Sequence, residues 1–201
     1  MRTLFTAVMI AAASPAAAVT LTFDDLSSGG EVGSAYKAFY WDNFFALDVR
    51  TVPVSGYDAA VISPNTVALN GGANPATITA PGTFALTSGY LTAAWYDGLT
   101  VQVDGYLGGL LVFTQSFAPA TTAPLFVTFD DDFIDTAVFR SFGGTQNPAF
   151  AGIGDGANFA LDNLTLVSGP AVPEPASWVM MIAGFGLVGG AMRRRSVAVA
   201  A

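Results

Sequence analysis

The residues best suited to chemistry are aromatic rings set among carboxylates. Tyr36, Tyr40, Trp41, Phe44 and Phe45 crowd one stretch with Asp42 and Asn43 between them, and Trp95, Tyr96 and Asp97 repeat the arrangement on a smaller scale. An aromatic face stacks on the C–H face of a sugar ring while neighbouring Asp and Asn side chains bond its hydroxyls. Tyr40, Trp41, Asp42, Asn43 and Trp95 are therefore candidate glycan contacts. The same rings serve equally as core, since aromatics dominate burial, and one exposed ring suffices for a weak site. Asp130, Asp131, Asp132 and Asp135 form an acidic group that must be solvated or neutralised by a cation. No glycine-spaced calcium loop with a closing Glu surrounds it, so a solvated hairpin tip is expected. Glycoside hydrolysis asks for two carboxylates roughly 5 to 10 Å apart. Glu31 is the one glutamate between the two ends of the chain, no signature surrounds it, and catalysis is not expected. Gly152-Ile153-Gly154-Asp155-Gly156 has the glycine density of a phosphate loop but neither its Lys nor a following helix, and reads as a turn.

Composition removes whole classes of activity. The 201 residues include no His and no Cys. That excludes a Ser-His-Asp triad, a thiol nucleophile, a His or Cys zinc site, a disulfide and a Cys-ligated iron–sulfur cluster. Any metal must be a hard cation held by oxygen. With Lys plus Arg 7 against Asp plus Glu 15, the chain lacks the positive field that draws phosphate backbones, so nucleic acid is not an expected partner. A hydrophobic fraction of 52% is ample for one domain with a core.

The elements that must position these side chains have period two. Leu99 to Asp104 alternates apolar and polar residues, and Leu125 to Phe129 is a compact β-forming run. Similar runs lie at Val19 to Phe23, Thr66 to Leu69, Thr77 to Ala80, Tyr90 to Trp95, Leu110 to Phe117, Ile134 to Phe142 and Asn158 to Val167. Turn signals separate them, among them Asn70-Gly71-Gly72, Pro81-Gly82, Asp97-Gly98 and Gly143-Gly144. No amphipathic helix of useful length interrupts the pattern. Some nine or ten short strands with Gly and Pro at the joints predict an all-β fold, an antiparallel β-sandwich of jelly-roll type. The first and last strands of such a sandwich run side by side. Asp24, Asp25, Asp162 and Asn163 would then meet at one end and offer calcium the oxygens it takes, a structural ion pinning both termini. The alternative is that these residues cap turns and backbone N–H groups, as Asp does near strand ends.

Both ends of the chain carry addresses. Met1-Arg2-Thr3, the apolar run Leu4 to Ala13, and Ser14 to Ala18 are the three parts of a secretory signal peptide, residues 1–18, with cleavage expected after Ala18. At the other end come Val172-Pro173-Glu174-Pro175-Ala176-Ser177-Trp178, the apolar run Val179 to Met192, and Arg193-Arg194-Arg195. From Trp178 to Met192 a helix covers about 22 Å, short of the roughly 30 Å hydrocarbon layer. As a single transmembrane helix it needs Trp178 at one interface and the arginines at the other, while Gly184, Gly186, Gly189 and Gly190 smooth one face. The arginines place that end in the cytoplasm and everything before Trp178 across the membrane. Pro173, Glu174, Pro175, Trp178 and Arg193 to Arg195, in this order, resemble the PEP-CTERM sorting signal of Gram-negative bacteria that make exopolysaccharide, a domain also catalogued as the ice-binding protein C-terminal domain. The resemblance implies that an exosortase, a membrane-embedded protease, cuts near Pro173-Glu174-Pro175 and releases the protein to the surface or matrix. Those residues are then recognised rather than catalytic. No regular Thr-x-Thr array supports ice binding.

Residues 19–171 lie between the addresses as the extracellular domain, with 172–201 as the sorting signal. The domain holds three basic residues, Lys37, Arg50 and Arg140, against fourteen acids, a net charge of -11. Its phrases Leu21-Thr22-Phe23-Asp24-Asp25-Leu26, Tyr40-Trp41-Asp42-Asn43-Phe44, Leu91-Thr92-Ala93-Ala94-Trp95 and Phe159-Ala160-Leu161-Asp162-Asn163-Leu164 together resemble lectin-like jelly rolls and carbohydrate-binding modules. The whole reads as an exported, non-enzymatic surface or matrix protein. Its expected partners are the exosortase, the inner membrane before processing, and an exopolysaccharide of the biofilm. A structural or adhesive matrix protein binding other proteins is the first alternative, a secreted glycan hydrolase the second.

Overall fold

The computed structural model describes residues 18–130, 132–169 and 175–197, and in the last segment the side chains of 180–193. The signal segment before Ala18, and Pro173 and Glu174, lie outside the described residues. So do the side chains of Pro175, Trp178, Arg194 and Arg195. The chain divides into two units, one ending at Pro170 and one beginning at Ala171.

The first unit is antiparallel β. Its ten strands are β1 (Ala18–Leu21), β2 (Tyr40–Asp42), β3 (Phe44–Asp48), β4 (Thr66–Asn70), β5 (Ala76–Ala93), β6 (Tyr96–Leu107), β7 (Leu110–Phe117), β8 (Leu125–Thr128), β9 (Ile134–Gln146) and β10 (Phe159–Ser168). Hydrogen bonds link them in the order β3-β4-β10-β5-β9-β6-β7, with β1 on β10 and both β2 and β8 on β5. The runs at 77–80 and 90–95 prove to be parts of β5. That strand changes partners along its length: Ala76 to Thr79 pairs with β2 and β9, and Phe84 to Ala93 with β10 and β8. The break falls at Pro81 and Gly82, where Pro has no N–H for the ladder and the register with β9 shifts. The strands thereby sort into two sets, β2-β5-β9-β6-β7 and β3-β4-β10-β5-β8.

The two sets face one another through aromatic rings. Phe139 of β9 packs on Phe44 of β3 at 5.6 Å and on Phe159 of β10 at 6.1 Å between centroids, and Trp41 of β2 meets Phe44 edge-on at 5.2 Å. Phe23, Phe84, Ile78, Leu86, Leu161 and Ile134 fill the same fully buried layer. Such an arrangement is consistent with a β-sandwich whose inner faces carry alternate residues of each strand. A second cluster lies on the outer side of β4 and β10. There Val49, Tyr57 and Ala60, from the connection between β3 and β4, cover Val67 and Ala160 together with Trp95 and Phe150. Every buried residue of both clusters falls between Leu21 and Leu166, so the unit contains its own core and meets the usual condition for folding alone.

β2 and β3 are the strands that periodicity misses. Asn43 sits between them at a φ of 56°, a left-handed conformation that Asn tolerates, and it breaks the alternation a strand would show. The second unit is α1, Pro175–Val197, longer at both ends than the apolar run. Among the described residues no helix is long and apolar enough to cross a membrane. Trp178, Arg194 and Arg195, which the expected transmembrane helix needs at its two interfaces, are among the residues whose side chains lie outside the described ones.

Candidate functional site

One set of strands has its outer face covered over β4 and β10 by the 49–62 connection, while Phe126 of β8 stays open beyond it. The other, β2-β5-β9-β6-β7, leaves its outer face to solvent. Period two decides which side chains stand there: Trp41, Ile78, Phe139, Val101 and Val103 point into the core, so their neighbours point out. Register then lines these up across the sheet. Tyr40, Thr79, Thr136, Tyr106 and Leu111 form one row, and Asp42, Thr77, Val138, Asp104 and Thr114 the next. Arg140, Gln102 and Ser116 begin a third. At about 4.8 Å between strands the first two rows are each about 19 Å long. Tyr40 is half exposed at one end, and Leu111 is open at the other.

A polar network anchors the centre. Asp104 is 4% exposed although it stands on an outer face, because its neighbours lean over it. Its Oδ1 accepts from Gln102 Nε2 at 2.9 Å and from Thr114 Oγ1 at 2.8 Å, and its Oδ2 accepts from Arg140 Nη1. Arg140 keeps 39% of its side chain in solvent. The face thus combines tyrosine rings, hydroxyls, an amide, an exposed carboxylate at Asp42 and a guanidinium already matched by a carboxylate. Chemically it can stack on a C–H face and exchange hydrogen bonds with hydroxyls. Asp42 and Asp104 are three strands apart, about 14 Å, beyond the separation glycosidase carboxylates need.

The candidates named from the sequence are divided by the fold. Tyr40 and Asp42 stand on this face, whereas Trp41 points the other way. It is 6% exposed, packs on Phe23, Tyr36 and Phe44, and donates Nε1–H to the Tyr36 carbonyl at 3.1 Å. Asn43 is spent on the corner, where Nδ2 donates to the carbonyls of Gly71 at 3.0 Å and Pro75 at 3.1 Å. Trp95 is buried under the loop that follows β9. A Cβ on Gly154 would stand 2.4 Å from its ring, and Tyr57 and Phe150 meet it edge-on. Neither of these tryptophans offers a face to a ligand in this structure; the alternation that makes Tyr40 and Asp42 outward makes Trp41 inward.

β1 does lie beside β10, from Ala18 opposite Val167 to Leu21 opposite Leu164. Even so, Asp24, Asp25, Asp162 and Asn163 do not converge on one cage. Asp162, 1% exposed, accepts from Ile62 N at 2.8 Å, Ser63 N at 3.0 Å, Ser63 Oγ at 3.1 Å and Asn163 N at 2.7 Å. Asp24 accepts from Thr66 N at 3.2 Å, so the two carboxylates hold the backbone at the entry to β4. Asp25 instead bonds Lys37 at 2.5 Å and the Tyr36 hydroxyl at 2.7 Å. The Lys37 bond, then the Tyr36 bond, hold its carboxyl below the usual range, while burial pushes the Tyr36 phenol well up. Asn163 occupies a bulge at φ 47° with its Oδ1 unpartnered among the described residues. No group of three or more acidic side chains able to hold a metal ion occurs among the described residues.

Sequence reasoning misses Gln102, Asp104, Tyr106, Thr114 and Arg140. The alternation of Leu99 to Asp104 already puts Thr100, Gln102 and Asp104 on one face, but only the pairing of β6 with β9 brings Arg140 to them.

Residues 171–195 match the family model for the PEP-CTERM protein-sorting motif. The chain carries a PEP-CTERM sorting signal. This signal implies export, attachment at the membrane and processing by an exosortase. No curated protein matches the chain. A solved structure described as "CBM4 structure and function" is similar at 16% identity and a TM-score of 0.33, over 74% of this chain and 97% of that one. The PEP-CTERM signal coincides with the second unit, leaving the solvent-facing rows entirely within the first.

Proposed function

We propose that this PEP-CTERM protein is a non-catalytic surface or matrix component whose jelly-roll-like unit binds an exopolysaccharide of its own biofilm through the outer face of β2-β5-β9-β6-β7. The observation that carries this is the double row from Tyr40 and Asp42 to Leu111 and Thr114, with aromatic rings near its ends and hydroxyls, carboxylates and an amide between them. An open sheet face lined by hydroxyls and an amide suits a sugar chain better than a small molecule, which needs a concave site. The separation of Asp42 from Asp104 favours binding over hydrolysis. Calcium is not part of this proposal, because the expected ligands already bond backbone N–H groups or Lys37.

The test uses the 18–169 unit and the producing cell's exopolysaccharide in a binding titration. Saturable binding that falls at least tenfold in the Tyr40→Ala, Tyr106→Ala double variant, with an unchanged circular dichroism spectrum, supports the proposal. The Asp58→Ala substitution, exposed on the covered side, should leave binding intact. Binding indifferent to the tyrosines sinks it.

The structural alternative has its own support. Residues 105–129 contain no charged side chain, and they include β7 and β8, which each pair on one side only among the described strands. Leu110 and Phe126 stand open there at 76% and 54%, features that favour strand-to-strand assembly. Concentration-dependent self-association lost on Leu111→Lys would favour this second reading.

A further inference from the structure

We infer that Asp104 sets the charge class of the glycan, reserving the face for uncharged sugar chains and turning polyanionic ones away. This deepens the glycan proposal and rests on it. A uronate or sulfated chain needs a cation to receive it, and Arg140 is the one cation on the rows described above. Its guanidinium is engaged by Asp104, whose side chain is 6% exposed and whose two oxygens are also bonded by Gln102 and Thr114. Arg140 is therefore a fixed hydrogen-bond donor without a net charge to offer. Asp42, exposed at the other end of the same face, adds a negative charge that no ion pair among the described residues compensates.

The rest of the unit offers no substitute. Lys37 is held by Asp25 and Arg50 by Asp48, so each of the three cations of residues 18–169 is matched by a carboxylate. Eleven of the fourteen acids are left over. A polyanion approaching within a Debye length, about 10 Å at 0.1 M salt, is repelled by this net negative charge. Neutral hydroxyls meet no such barrier, and Asp42, Gln102 and the threonines can bond them directly.

The decisive variant is Asp104→Asn. The amide keeps one acceptor for Thr114 and can donate its NH2 to Gln102 Oε1 once the Gln102 amide turns over, whereas Arg140, part exposed, regains its full charge and can swing toward a ligand. The wild-type 18–169 unit and the variant are passed over immobilised neutral polysaccharides (glucan, xylan, mannan, galactan) and immobilised polyuronates, at low and high salt. Wild type should bind at least one neutral polymer with little salt dependence and no polyuronate even at low salt. Asp104→Asn should gain polyuronate binding by at least tenfold, the size of one charge-assisted hydrogen bond, and lose it at high salt. Asp42→Asn, which removes an exposed charge and threatens no fold, should move polyuronate binding in the same direction by less. Wild-type binding of polyuronate at low salt as tight as of any neutral polymer overturns the inference while leaving glycan binding intact. A folded Asp104→Asn without gain overturns it too. Binding of no polymer, the cell's own exopolysaccharide included, defeats the glycan proposal itself and this inference with it.

Discussion

Truncating Trp41 separates a core residue from a ligand contact. In the structure the indole is 6% exposed, meets three aromatic rings within 6.1 Å, and spends its N–H on the Tyr36 carbonyl. Trp41→Ala removes that packing and leaves the carbonyl without its donor, so it should cost about 3–5 kcal/mol, the range for large aromatic truncations in cores. A unit of this size has a total stability of about 5–15 kcal/mol and loses about 2–4 °C of Tm per kcal/mol, which puts the expected fall at roughly 6–20 °C. Trp41→Phe keeps a ring and should lose far less. The assay pairs urea unfolding of the 18–169 unit with a glycan titration on the same samples. Affinity per folded molecule should be unchanged, with capacity falling only as the unfolded fraction rises. A variant that stays within about 1 kcal/mol of wild type yet loses its affinity would refute the placement of Trp41 in the core and restore it as a sugar platform.

Three further outcomes are expected. Gly154→Ala should push the Trp95 ring, 2.4 Å from the new Cβ, and cost about 1–3 kcal/mol with a changed near-ultraviolet circular dichroism signal; an unchanged signal would mean the loop moves instead. Asp25 has a lowered pKa in the folded state, so its contribution is complete above the unfolded carboxylate value near pH 4 and is lost as pH falls through the folded value. Lys37→Ala should raise the Asp25 midpoint in an NMR titration, and a midpoint that does not move would break the assignment. Calcium added to the 18–169 unit should leave Tm within about 1 °C, since Asp24 and Asp162 already bond backbone N–H groups; a large rise would show that these carboxylates rearrange around the ion.

Much of this protein follows from its sequence alone. Alternation in Leu99 to Asp104 and the Gly and Pro joints suffice for an antiparallel β architecture, because strand periodicity and turn chemistry are local. The sorting signal is equally local, a linear motif read by contact with its order of residues rather than by a fold. What tertiary structure decided is which face of each strand meets solvent and which strands are neighbours. Trp41 and Tyr40 are adjacent in sequence and belong to opposite worlds, core and surface, because β2 pairs with β5 in one register. Asp104 and Arg140 are thirty-six positions apart and form an ion pair only because β6 lies against β9. The acids near the two termini show the same limit from the other direction. β1 and β10 do run side by side, yet the donors that claim Asp24 and Asp162 include the backbone N–H groups of Ile62, Ser63 and Thr66 at the entry to β4, groups that need an acceptor in the folded chain. Strand type is a property of a few consecutive residues; a binding face is a property of register between distant ones, and only the hydrogen-bond ladder of the folded sheet sets it.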